Sequence, residues 1–123
     1  MSEPRKIAWI SQALPSGPLH ENLNSHIASI RYRTLIPARE LQKKGIENVA
    51  ISPEADARRM GELLAGSSAA VFGKMSLFDP RAVLESARKH LALAAHAQSL
   101  GIKVIADICE DRFDHELLGG YWK

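Results

Sequence analysis

The chain has 123 residues, 46% of them apolar and 24% charged, with sixteen Lys and Arg against fourteen Asp and Glu and a formal net charge of +2. That is the size and composition of one ordinary globular domain, able to bury roughly two thirds of its unfolded surface. The near balance of charge, with basic residues scattered in pairs (Arg31 with Arg33, Lys43 with Lys44, Arg58 with Arg59), argues against a nucleic-acid binder. The single cysteine, Cys109, leaves no internal disulfide and fits a reducing cytosol, so a cytoplasmic protein is expected. The polar start, Met1 to Lys6, lacks the apolar core of a signal peptide, and no apolar run approaches the ~20 residues of a membrane span.

In chain order, Ile7 to Ile10 is a nearly continuous apolar run ending at Ser11, which predicts a strand covered on both faces. A polar segment follows from Gln12 to about Ser29, where Pro15, Ser16, Gly17 and Pro18 block regular structure. Unstructured segments of that length are uncommon in small α/β domains and are often functional. A helix is expected to start between Ser29 and Thr34 and to run to Lys44, with Gly45 closing it. Pro37 is tolerated only near a first turn, which favours a start near Arg33 or a kink. Asn48 to Ser52 reads as the second strand, stopped by Pro53. A short helix follows from about Asp56 to Ala65, with Ala57, Met60 and Leu64 on one face.

Ala69 to Phe72 is the third strand, ending at Gly73-Lys74. Asp79-Pro80 is a capping carboxylate followed by proline, a strong start for a helix reaching about Leu100. Val83, Ala87, Leu91 and Ala94 recur at helical spacing and form its expected buried stripe. Gly101 ends it, and Lys103 to Ala106 is the fourth strand. The tail, Ile108 to Lys123, is acidic and then apolar, with a short helix expected around His115 to Leu118.

This alternation predicts an α/β, Rossmann-like three-layer domain over residues 1–123, with a mainly parallel sheet of about four strands joined by right-handed crossovers. Four parallel strands leave an edge unpaired, and Tyr121 and Trp122 close the sequence. Both features predict further polypeptide, a homo-oligomer, or a partner chain covering the C-terminal end.

In open parallel sheets ligands bind beyond the carboxyl ends of the strands. That rule gathers Ser11 with its loop, Ser52-Pro53, Gly73-Lys74 and Asp107 on one rim. In the loop, Ser16 and Gly17 let a backbone approach a sugar or phosphate, or simply make a surface turn. His20 and His26 are candidate bases for an acceptor hydroxyl, imidazole titrating near neutrality; solvated loop histidines are the competing reading. Arg31 and Arg33 offer forked hydrogen bonds to carboxylate or phosphate. Lying two apart, they point in different directions on a helix, so only one is expected to face a ligand. Lys74 reaches into the cleft or into solvent.

If the segment is helical, Asp107 and Asp111 share a face and are candidate contacts to a ligand or a divalent metal; capping the following helix is the simpler role. Their spacing is not that of a calcium loop, and neither a metal nor a cofactor is expected. A phospho-receiver domain needs acidic residues after the first strand and an Asp after the third. Ser11 and Lys74 stand there instead.

Three stretches together resemble the N-terminal part of bacterial GT-B glycosyltransferases. They are Ala28-Ser29-Ile30-Arg31-Tyr32-Arg33 with Leu35-Ile36-Pro37-Ala38, Leu41 and Gly45; Val71-Phe72-Gly73-Lys74; and Lys103 through Phe113, with its Ala106-Asp107-Ile108-Cys109-Glu110-Asp111 core. The resemblance covers essentially the whole chain. It departs from the family in lacking paired glycines in the first loop and in carrying Glu110 where Asp is frequent. It implies transfer of a sugar from a nucleotide-sugar donor to an acceptor across a cleft between two Rossmann-like domains. This chain would supply the acceptor-side half, inactive alone, and the donor-binding C-terminal domain would lie outside it. The alternative is a non-catalytic Rossmann-like ligand-binding or subunit module.

Overall fold

The computed structural model describes residues 6–11, 14–19, 25, 30–73 and 80–106, with the backbone alone at 80–84, 86 and 87. Five strands form one sheet: β1 (Lys6–Ile10), β2 (Gly17–Pro18), β3 (Glu47–Ile51), β4 (Ala69–Phe72) and β5 (Lys103–Ala106), in the order β2-β3-β1-β4-β5. Pairings β3–β1, β1–β4 and β4–β5 are parallel, and only β2 runs antiparallel. Among the described residues the α-helices are α1 (Ile36–Lys43), α2 (Ala57–Leu64) and α3 (Pro80–Ser99); the short helix expected around His115 to Leu118 lies outside them. The expected Rossmann-like α/β architecture is therefore present.

The layers follow from handedness. The step from β1 to β3 moves one way across the sheet, and the steps from β3 to β4 and from β4 to β5 move the other way. Right-handed crossovers must then place α1 on one face and α2 with α3 on the other. The packing agrees. Trp9 and Ala50 pack with Leu35 and Ala38 on the α1 face; Ala8, Ile10, Val49, Ile51, Ala70 and Phe72 pack with Leu63, Leu64, Leu93 and Ala97 on the opposite face. Alternate residues of the strands thus feed two cores, which is why their sequences are apolar without a break.

Helix α1 is preceded by a π-helical turn, Arg31–Leu35, in which the Ile36 N–H donates to the Arg31 carbonyl. Pro37 explains it. Its ring has no N–H for the Arg33 carbonyl and would clash with that carbonyl in a regular helix. Widening the preceding turn removes both conflicts, so the helical segment begins within the expected limits and Pro37 falls in the first turn of α1. Gly101 ends α3 in the left-handed conformation (φ +77°), with its N–H on the Gln98 carbonyl and Ile102 N–H on that of Ala97. Gly45 closes α1 by the same motif.

Two expected helix faces are corrected. In α3, Leu91 is 70% exposed, and the buried positions are His90, Leu93 and Ala97, with Ala94 partly buried. The helix is rich in alanine, so several stripes look equally apolar. Contact with β4 and Ile102 selects among them. The side chains of Val83 and Ala87 lie outside the described residues. In α2, Ala57 is exposed in the first turn, and Leu63 joins Leu64 in the core.

One polar side chain lies in the α1 core. Asn48 on β3 accepts from Trp9 Nε1 (2.9 Å) and donates to the carbonyls of Ala38 (3.1 Å) and Ile46 (2.9 Å). Asn48→Ala would leave the buried indole N–H of Trp9 without its partner and remove the side-chain bonds to the Ala38 and Ile46 carbonyls, so it should lower the unfolding free energy by about 2 kcal/mol in urea titration. Ser67 is the opposite case: its buried hydroxyl has no hydrogen-bond partner. Ser67→Ala should leave stability unchanged or raise it by up to about 1 kcal/mol by the same measurement.

Candidate functional site

The connection from β1 leads to β3 and the connection from β4 leads to β5, on opposite sides, so the two part between β1 and β4 at the carboxyl rim. This is the topological switch point where open α/β sheets bind ligands. Its floor is the peptide joining Ile10 to Ser11. The Ile10 carbonyl accepts from Gly73 N–H (3.0 Å) on the β4 side, and Ser11 N–H donates to the Ile51 carbonyl (3.0 Å) on the β3 side. Gly73 sits close over this floor, since a Cβ there would lie 3.4 Å from the Ile10 oxygen. Ser11 is buried, at 4% exposure.

Ser16 and Gly17, expected as a backbone cradle, are occupied in building the sheet. The Ser16 Oγ accepts from Ser52 N–H (2.8 Å), and Gly17 and Pro18 pair with Ala50 and Val49. The first loop therefore folds back along the outer side of β3 and covers that edge, which the sequence left unpaired. Proline suits this position because an edge strand can spare one N–H. Gly17 holds φ +143°, and Arg59 Nη2 lies 3.6 Å from where a Cβ would stand. Gly17→Ala should cost about 1–2 kcal/mol of stability, read from thermal or urea melting, with Ser52 N–H losing protection from hydrogen exchange.

The two arginines take separate roles. Arg31 is half-buried; its Nη1 donates to the Ser25 carbonyl (2.7 Å), and its guanidinium lies 6.0 Å from the Tyr32 ring centre. Arg33 is exposed in the π turn. The topology puts this turn at the carboxyl end of the sheet, because α1 starts there and descends to β3. Lys74, His20, His26, Asp107 and Asp111 lie outside the described residues.

Sequence reasoning missed other side chains of this rim. Asp56 caps α2 by accepting from Arg59 N–H (2.8 Å). Lys89 of α3 reaches Glu54, beyond the end of β3, at 2.7 Å. The hydrogen bond that Lys89 donates to the Glu54 carboxylate holds its ammonium above the usual lysine range. A raised lysine pKa contributes fully at neutral pH, and the contribution fades only as pH climbs through the raised value. The pair is solvent-exposed and adds little. His90 is buried against Phe72, ring centres 6.0 Å apart and tilted by 57°. The Asp56 cap was readable from the carboxylate before a helix; the Lys89–Glu54 reach and the His90–Phe72 contact join segments distant in sequence and leave no local signal.

Among the described residues, no group of three or more His, Cys, Asp or Glu could hold a metal ion, and no helix is long and apolar enough to cross a membrane. Compared with known family models, curated proteins and solved structures, the chain matches none.

Proposed function

We infer that this chain is the acceptor-side, Rossmann-like half of a glycosyltransferase that uses a nucleotide-sugar donor. The observation that carries the ligand-binding part is the switch point between β1 and β4, with the Ile10–Ser11 peptide bonded to both neighbouring strands beneath it. Such switch points are where open α/β sheets hold their ligands. The sugar chemistry rests on the resemblance of the Ser29-to-Pro37, Val71-to-Lys74 and Lys103-to-Phe113 stretches to GT-B enzymes.

In this reading the rim holds the acceptor, with Arg33 at its edge for an anionic group and His20 or His26 as the base that takes the hydroxyl proton. A second domain outside this chain would bind the donor's nucleotide. The chain would sit in the cytoplasm, where nucleotide-sugars are available.

The test is a backbone amide NMR titration with a panel of methyl glycosides, together with incubation with UDP-glucose and GDP-mannose. The expected result is shifts confined to Ser11, Ser52, Gly73 and the π turn, with no hydrolysis of either donor by the chain alone. Hydrolysis by the chain, or glycoside-induced shifts only at the opposite end of the sheet, would count against the reading.

A further inference from the structure

The structure draws together basic residues that look scattered in the sequence. Residues 31–44 carry five of the sixteen basic residues and one of the fourteen acidic ones, so the excess of +2 over the whole chain becomes −2 without them. One side of this helical segment is spent on the core: Leu35 and Ala38 are buried and Leu41 is partly buried beneath it. The other side forms a ridge of Tyr32, Ile36, Arg39 and Lys43, spaced four, three and four apart and all exposed. Arg33 and Lys44 are exposed beside it, and the single acid, Glu40, is bonded to Lys43 (3.0 Å).

Two members of the ridge are out of character for a solvated face. Tyr32 is 67% exposed and Ile36 is 43% exposed, one turn apart, whereas Trp9 and Phe72 are buried. An aromatic and a branched aliphatic side chain set among cations is the pattern of a helix lying on a membrane surface. The apolar groups enter the headgroup boundary and the cations meet anionic lipid.

We propose that the outer ridge of α1 and its π turn docks the domain on an anionic lipid surface, with Tyr32 and Ile36 entering the headgroup layer and Arg39, Lys43 and Lys44 facing the lipid charge. The π turn that accommodates Pro37 sets which residues of the first turn stand on the ridge, and so tunes a backbone conflict to a surface. The proposal is independent of the glycosyltransferase reading.

The test is co-sedimentation of the chain with vesicles of phosphatidylcholine alone and of phosphatidylcholine containing a third phosphatidylglycerol, at low and high salt. Three proteins are compared: the unaltered chain, Arg39→Glu/Lys43→Glu, and Tyr32→Ser/Ile36→Ser. All substituted side chains are exposed, and thermal melts establish that each variant is folded.

The expected result is binding to the anionic vesicles only, reversed by salt. Charge reversal should weaken it by at least tenfold, since each basic residue near such a surface is worth roughly fivefold. The Tyr32/Ile36 variant should weaken it several-fold with an unchanged salt dependence. Absence of binding, equal binding to both vesicle types, or full binding by either variant would overturn the proposal. So would binding that depends on the charges alone and is matched on heparin, which would point to a soluble polyanion instead.

Discussion

The placement of β1 between two parallel neighbours constrains everything else in this structure. A central strand in a sheet covered on both sides must satisfy both edges of its backbone and bury both of its faces. Ile7 to Ile10 does so. Its backbone pairs with Glu47–Ile51 on one side and Ala69–Phe72 on the other, Ala8 and Ile10 enter one core, and Trp9 enters the second. Once β1 is central, the chain must step first to one side and later to the other. Right-handed connections then divide the helices between the faces, and the loops part at the carboxyl rim. The candidate site is a consequence of this reversal.

The two faces are held differently. Among the described residues the face carrying α2 and α3 is mostly apolar, with His90 set against Phe72, and its helices are set by side-chain fit. On the other face α1 is fastened by Asn48, whose amide joins Trp9 on the central strand to the backbone of the helix and of the turn after it. Directional bonds fix the height and rotation of a helix more narrowly than apolar contact does. That rotation decides which side chains of residues 31–44 face solvent, and hence which stand at the rim or on the outer ridge. A single buried amide thereby links the core to the two surfaces to which function is assigned.

Much of this was readable from the sequence. The four long strands stand within a residue of their expected limits because each is mostly apolar between polar breaks, a pattern that two-sided burial imposes on the central strands β1 and β4. Asp56, the proline at position 80 and the glycines at 45 and 101 mark helix ends through local backbone chemistry, which needs no tertiary context. What the sequence withheld depends on contacts between distant segments. The strand Gly17–Pro18 is two residues long and is defined by pairing with β3. The rotation of α3 was misjudged because an alanine-rich helix has no single apolar side, and the sheet chose Leu93 over Leu91. Asn48 reads as an ordinary polar residue at a strand end until Trp9 and Ala38 are placed beside it. For the site, the rim and its residues Ser11, Ser52 and Gly73 followed from the rule about strand ends. The diversion of Ser16 and Gly17 into an edge strand did not, because side-chain and backbone pairing to β3 competes with any ligand for the same groups.

The measurement that bears most directly on this account is the set of backbone nuclear Overhauser contacts of β1 in solution. The account requires parallel-strand contacts from Ile7–Ile10 to Asn48–Ile51 and also to Ala69–Phe72, with Ser11 and Gly73 amides protected from solvent exchange. Contacts to only one of those strands, or an antiparallel pattern on either side, would contradict it: the reversal would vanish, and the crevice above Ile10 and Ser11 with it.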